Sequence, residues 1–207
     1  MKLFFTVFAF LFFLGVSAQN KVLFLNGDTM SIGTFKVDTT KFLIEYKNKR
    51  NKEKFIDIDN VFSIVDSTGK ETVYYIPVVM DEGDSVIVSV KQMRDFVGGA
   101  FDANNEHKAW GAFGVGLASG LAGAAVTAPG MLFYSPIVPA GTSVLVGFTQ
   151  PTKSKVVKLH PDKKDNDYYI RGYQQSAQSK RTNQAIKGGL LGLLLGITGI
   201  LIYAAQP

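Results

Sequence analysis

The apolar positions change their spacing twice along the chain. Over residues 21–77 they come in short alternating runs, "KVLFL", "MSIGTFKVD", "KFLIEYK", "KFIDID", "NVFSIVD" and "ETVYYI". Phe42, Ile44 and Tyr46 fall on one face at the two-residue period of a strand, and Ile32, Phe35 and Val37 are the apolar positions around Gly33. The turn signals "NGD", "NKRNKEK" and "STGK" separate the runs. The pattern predicts six short strands, a small all-β meander or an SH3- or Sm-like barrel over residues 19–77.

Beyond Pro77 the period becomes helical. Met93, Phe96, Val97, Ala100 and Phe101 predict an amphipathic helix within the linker 78–108. Ser89 and Gln92 have the spacing of a capping box at its start. Its apolar stripe is expected to pack on the β-domain.

Residues 109–152 then carry no charge at all. Their first part, 109–128, has the length of a transmembrane helix. Ala112, Gly116, Gly120 and Ala124 recur four apart along it, a small-residue face of the kind that lets helices approach closely in lipid. Pro129, Pro136, Pro139 and Gly141 interrupt the second part, 129–152, which reads as either a re-entrant segment or a second crossing. Residues 153–184 are basic and polar and include the start of a long helix, capped by Asp167. That helix runs on into the apolar stretch 185–204, a second transmembrane helix with Gly188, Gly192 and Gly196 on one face. Trp110, Lys180, Arg181 and Lys187 stand where a membrane interface would lie, and Tyr203 marks the far one. The fold class is therefore α+β, a small β-domain followed by glycine-rich transmembrane helices.

Composition sharpens this in three places. The 21 glycines sit inside the apolar runs more than in the turns, although each weakens a helix interior by roughly 0.5–1 kcal/mol; close helix approach would compensate. The first 18 residues, with Lys2 ahead of an apolar run and "VSAQ" after it, read as a signal peptide, the alternative being a retained N-terminal anchor. The chain has no Cys, which excludes disulfides, thiolate catalysis and Cys-based metal sites.

Charge suggests an orientation. Residues 153–187 hold nine basic and three acidic side chains, a net +6, whereas residues 21–108 hold twelve and fourteen, a net −2. Basic flanks mark the cytoplasmic side of an inner membrane. The asymmetry favours the β-domain in the periplasm, the basic region inside and an odd number of crossings between them. An outer membrane would not obey that rule.

Candidate chemistry is sparse. With two histidines, His107 and His160, metal sites built on several His are ruled out. No nucleophile elbow, phosphate-binding loop or H-E-x-x-H helix is present. "DANNEH" lacks the repeated oxygen ligands and turn glycine of a Ca²⁺ loop. His160-Pro161-Asp162 resembles the HPD loop of J-domain co-chaperones, but there is no room upstream for the first helix of such a domain, and the tripeptide reads as a proline turn in a basic loop. No catalytic, cofactor-binding or metal-ligating residue is assigned and no cofactor is implied.

The order of segments carries a wider likeness. A signal peptide and short β-domain precede "MRDFVGGAFDAN", a glycine-rich span, "SPIVP", and "YIRGYQQSAQSKRTNQAIKGG" leading into a glycine-rich terminal helix. This arrangement resembles uncharacterised envelope membrane proteins of Bacteroidota. The resemblance implies an integral cell-envelope protein, without catalytic residues, whose partners are membrane lipids together with further copies of itself or other envelope proteins, and not nucleic acid. The reading that follows is a structural or protein-interaction role for the β-domain, held by helices packed through their glycine faces. The alternative is an accessory subunit of a transport complex or a small oligomeric pore.

Overall fold

A computed structural model describes residues 19–48, 50–77, 88–126, 137–147 and 149–204. The signal peptide expected over 1–18 lies outside them, as do Pro129, Pro136 and the "SPIV" stretch up to residue 136. The chain divides into two compact units, one of strands up to Ile76 and one of helices from Pro77, with residues 26–28 grouped with the helices.

Among the described residues, seven strands form the first unit: β1 (Asn20–Phe24), β2 (Thr29–Ile32), β3 (Phe35–Asp38), β4 (Leu43–Lys47), β5 (Glu53–Asp57), β6 (Val61–Val65) and β7 (Glu71–Val73). They make two antiparallel sheets, ordered β2-β1-β6-β7 and β3-β4-β5. The α+β class is as the pattern implies, but among the described residues the sheets do not close into a barrel. Two links account for the difference. "MSIGTFKVD" is not one strand: it breaks at Gly33-Thr34, and its halves enter different sheets. A short 3₁₀ turn, Ile58–Asn60, capped by the Asp57 carboxylate, sends the chain back from β5 to β6 beside β1.

The two sheets share one core. Ile44 and Ile56 from the three-stranded sheet meet Val22, Ile32, Val61 and Ile64 from the four-stranded one. In β2, β4 and β5 one side chain in this set points inward, whereas in β6 the residues Val61 to Ile64 are all buried and the register against β1 shifts between Leu23 and Phe24. Phe42 departs from the predicted face: it precedes β4, is exposed, and has a φ of 54°. The charged hairpin tip is a turn organised by Asn48, whose side-chain carbonyl accepts from the Arg50 and Lys52 amides.

Among the described residues, five helices form the second unit: α1 (Val90–Glu106), α2 (Trp110–Val126), α3 (Ile137–Gly147), α4 (Lys153–Leu159) and α5 (Asp167–Ala204). The capping box is present, with the Gln92 amide donating to Ser89 Oγ and the Ser89 amide to Gln92 Oε1. The small residues of α1 lie on α5, where Gly99 abuts Tyr169 and Tyr173 and Ala103 joins their cluster. Asn166, not Asp167, caps α5: its side chain accepts from the Tyr169 amide and its carbonyl from the Ile170 amide. Asp167 is the first residue of α5 and pairs instead with Lys153 at 2.6 Å.

The helix α5 organises the unit. Its 38 residues rise about 57 Å, nearly twice a bilayer's hydrocarbon thickness. Phe96 and Gly99 of α1 meet Gly172 and Tyr169 near its start; Phe113, Gly116, Gly120 and Ala124 of α2 meet Gly188, Ala185, Gly189 and Gly196 further on. So α1 and α2 run in succession beside α5 and in its direction. The α3 helix runs the other way, with Pro139 against Gly189 and Val146 beside Ala109, Ala112 and Ala185. Pro139 is tolerated because it lies in the first turn of α3, where backbone amides need no helical partner.

Because α3 reverses α2, the chain enters α2 and α5 from the same end. There α4 and the polar half of α5 pack directly on α1 through Ala103, Val156, Tyr169, Ile170, Tyr173 and Ala177. Net charge per segment could not register this, because apolar packing of Val156 and Tyr173 on α1 decides it.

Candidate functional site

The predicted helix-packing residues come together within one chain. Ala112, Gly116, Gly120 and Ala124 are all buried on α2, and Gly188 and Gly192 are buried on α5. A Cβ at Gly116 would overlap the Ala185 carbonyl; one at Gly120 would overlap the Gly189 carbonyl and lie 2.7 Å from the Leu193 nitrogen. Reciprocally, a Cβ at Gly188 would strike the Phe113 carbonyl, one at Gly192 the Leu117 carbonyl, and one at Gly196 the Ala124 methyl. Backbone rests on backbone along the seam, so these residues are not free to receive a second copy. Gly99 and Gly172 extend the same close approach into the polar half, against Tyr169 and Phe96. They sit in polar sequence, where no apolar run drew attention to their spacing.

Where the seam is small, the outside is large. Leu190, Leu191, Leu194, Leu195, Leu201 and Ile202 of α5 are exposed, Leu194 at 65%. Val115 and Leu121 of α2 and Ile137, Val144 and Leu145 of α3 are exposed as well. Ser119 and Ser143 are buried: Thr142 Oγ1 donates to Ser119 Oγ at 2.7 Å between α3 and α2, and Ser143 Oγ donates to the Pro139 carbonyl. By length and composition α5 can cross a membrane; among the described residues the other apolar helices are shorter.

The expected interface residues mark two levels. Trp110, 74% exposed and edge-on to Phe113, begins α2 beside Ala109 and Ala185. Arg181 lies one turn before Ala185 on α5; Lys180 reaches back, donating to the Asn104 carbonyl at 2.6 Å. Lys187 is exposed on the outer face. Tyr203 is 80% exposed and 18 residues beyond Ala185, about 27 Å along the axis.

A second cluster, which sequence reading missed, lies at the polar end. His160 ends α4, and Pro161 opens a 3₁₀ turn that reverses the chain into α5. The imidazole Nε2 donates to Glu106 at 3.1 Å and stands edge-on to Tyr169, 5.4 Å away, with Tyr173 at 5.7 Å. The Tyr169 hydroxyl donates to Asp102 at 2.5 Å. Beside it Ser176 donates to the Asn104 side chain. The sequence held one signal: Asp102 and Glu106 are four apart, as are Tyr169 and Tyr173, so each pair shares a helix face. What pairs those faces is a contact across 54 residues. The cluster clasps α1, α4 and α5 together, and its hydrogen-bonding groups are spent on one another. Among the described residues, no three His, Asp or Glu side chains come together as a metal would require.

On another flank, Val88, Met93 and Phe96 floor a groove of about 560 Å³ walled by Gln150, Arg171 and Gln178. Two glutamines there hold the link between α3 and α4: Gln150 donates to Gln178, and Gln174 to the Pro151 carbonyl.

The tyrosines predict an alkaline limit. Burial foremost, then the hydrogen bond to Asp102 and that carboxylate's charge, push the Tyr169 hydroxyl well above its usual value; burial, then the charges of Glu106 and Asp102, raise Tyr173. Both phenols hold their protons more tightly folded than unfolded. Their contribution is complete below the unfolded value of about 10 and is lost as pH rises through the folded values. Denaturant titration should show stability falling above about pH 10, with a shallower fall in Tyr169→Phe. At neutral pH that variant should lose about 2 kcal/mol, because Asp102 is left without its donor.

No protein-family model, curated protein or solved structure matches the chain.

Proposed function

We propose that the chain is an integral cell-envelope protein whose helical unit is seated in a bilayer and whose β unit serves a structural or protein-interaction role. One observation carries this: the helical bundle is inverted. A water-soluble bundle buries its leucines and exposes its polar groups. Here glycine, alanine, serine and threonine fill the seam while leucine and isoleucine cover the outside of α2, α3 and the second half of α5. So large a continuous apolar surface needs lipid or protein to cover it. The helices would then associate by backbone packing, since lipid offers no hydrophobic drive between them. The span from Ala185 to Tyr203 fits the hydrocarbon thickness, with Trp110 and Tyr203 at its two edges.

The glycine faces take part in packing within a copy, so the role they support is to hold α2 against α5. A pore between these two helices is disfavoured by the same contact, which leaves no space for water. Alkaline carbonate washing of membranes from expressing cells tests the membrane reading. The chain should stay in the pellet and leave only with detergent. Release into the supernatant as a monodisperse, detergent-free protein would end it.

A further inference from the structure

Ala103 of α1, Val156 of α4 and Ala177 of α5 meet in one buried cluster at the polar end. One turn further on, on the helix faces that carry Ala103 and Ala177, stand His107, just past the end of α1, and Arg181 of α5; Lys180 precedes Arg181, and Lys155 precedes Val156 on α4. Three separate elements thus bring their cations to one level. That level is one turn above Ala185, where the exposed apolar surface begins, and it is shared with the exposed Trp110. Lys180 is fixed there by its bond to the Asn104 carbonyl. His107 is half-buried in their midst. Burial, and after it the charges of Lys155, Arg181 and Lys180, hold its imidazole below the usual value.

Two other basic residues of the polar end have acidic partners, Lys153 with Asp167 and Lys163 with Asp162. Among the described residues, no carboxylate forms an ion pair with Lys155, Lys180 or Arg181. Like charges held together without a counter-ion repel one another, and an anion placed among them would relieve that repulsion. Guanidinium and ammonium groups side by side suit a phosphate, with the planar fork binding two oxygens and the ammonium acting as a point charge. At the edge of a lipid-covered surface, the phosphates within reach are those of headgroups.

We infer that Lys155, Lys180 and Arg181, gathered around His107, form a binding site for the phosphate of an anionic membrane lipid. This rests on the membrane reading above and adds a ligand class to it. Neutral His107 is part of the site: an anion bound among the cations would favour its protonated form, so its titration reports occupancy.

The full chain in bilayer discs provides the test, with phosphatidylcholine alone or mixed with phosphatidylglycerol. The two histidines give two imidazole signals by NMR, and His107→Gln assigns them. Anionic lipid concentrates protons at any surface, so the readout is the upward shift of His107 in excess of that of His160. The expected excess is about one pH unit, with phosphatidylglycerol retained by the purified protein through delipidation. The double variant Lys155→Gln/Arg181→Gln leaves the Lys180 bond in place. It should abolish the excess shift and lower lipid retention about tenfold, at unchanged melting temperature in phosphatidylcholine discs. Lys187→Gln, which removes an exposed cation outside the group, should change neither.

Insertion into both discs without an excess shift or lipid preference would overturn the site and leave the membrane reading standing. Failure to enter either disc would overturn both. If millimolar inorganic phosphate added to phosphatidylcholine discs reproduces the His107 shift, the ligand is free phosphate and the lipid assignment falls. Equal losses in Lys187→Gln and the double variant would reduce the effect to general surface charge and also overturn it.

Discussion

Gly120→Ala and Gly192→Ala should each unfold the helical unit at a markedly lower temperature, whereas Gly111→Ala and Gly114→Ala should not. All four glycines lie in helices. The difference is what a methyl group would meet. At Gly120 it would overlap the Gly189 carbonyl and press on the Leu193 nitrogen and the Gly192 Cα; at Gly192 it would meet the Leu117 carbonyl, the Gly120 Cα and the Leu121 nitrogen. All are backbone atoms, which cannot rotate aside, so relief requires α2 and α5 to move apart. Overpacking typically costs about 1–3 kcal/mol, and the upper end applies where no side chain can yield. Gly111 and Gly114 have nothing within 4 Å of the same methyl. There the gain in helix propensity, about 1 kcal/mol in water, opposes no clash. Melting curves of purified protein in detergent separate the pairs. Equal melting temperatures for Gly120→Ala and Gly114→Ala would mean that the seam does not hold the helices together. Because the contact is within one chain, the loss should not depend on protein concentration, which distinguishes it from the dissociation of an oligomer.

These residues also show what a sequence can reveal. Gly116, Gly120, Gly188 and Gly192 were legible because an uncharged helix with small residues four apart has few uses other than close packing. The short apolar runs of β1 and β4 were legible for a similar reason: they alternate at the two-residue period of strands, with Val22 and Ile44 turned inward. What was not legible depends on partners far along the chain. Nothing near Gly33 says that β2 and β3 join different sheets. Nothing near His160 points to Glu106. Proline normally argues against a helix, yet α3 contains Pro139 at its start, where the missing amide costs nothing. Thr142 and Ser143 further occupy carbonyls of that first turn, those of Val138 and Pro139. Net charge is also silent on where the basic segment packs, which is set by apolar contact of α4 and α5 with α1.

That contact makes topology the sharpest test of the arrangement. With no native cysteine, single cysteines can be placed at Lys91, Ser154, Ser179 and Tyr203, all exposed, and labelled with a membrane-impermeant maleimide from either side. Lys91 begins α1, Ser154 lies in α4 and Ser179 is on the polar half of α5. The first three should react from one side of the bilayer and Tyr203→Cys from the other. The physical reason is that α1, α4 and the start of α5 share the cluster of Ala103, Val156 and Tyr173, which no bilayer can separate. Between α1 and α4 the chain must therefore leave and return, and α3 supplies the return, since Val146 lies beside Ala109 while Pro139 lies beside Gly189. Labelling of Lys91→Cys and Ser154→Cys from opposite sides would break this packing and restore an odd number of crossings. Labelling of Tyr203→Cys from the same side as Ser179→Cys would mean that α5 does not cross, leaving the leucines on its outer face to be covered by protein instead of lipid.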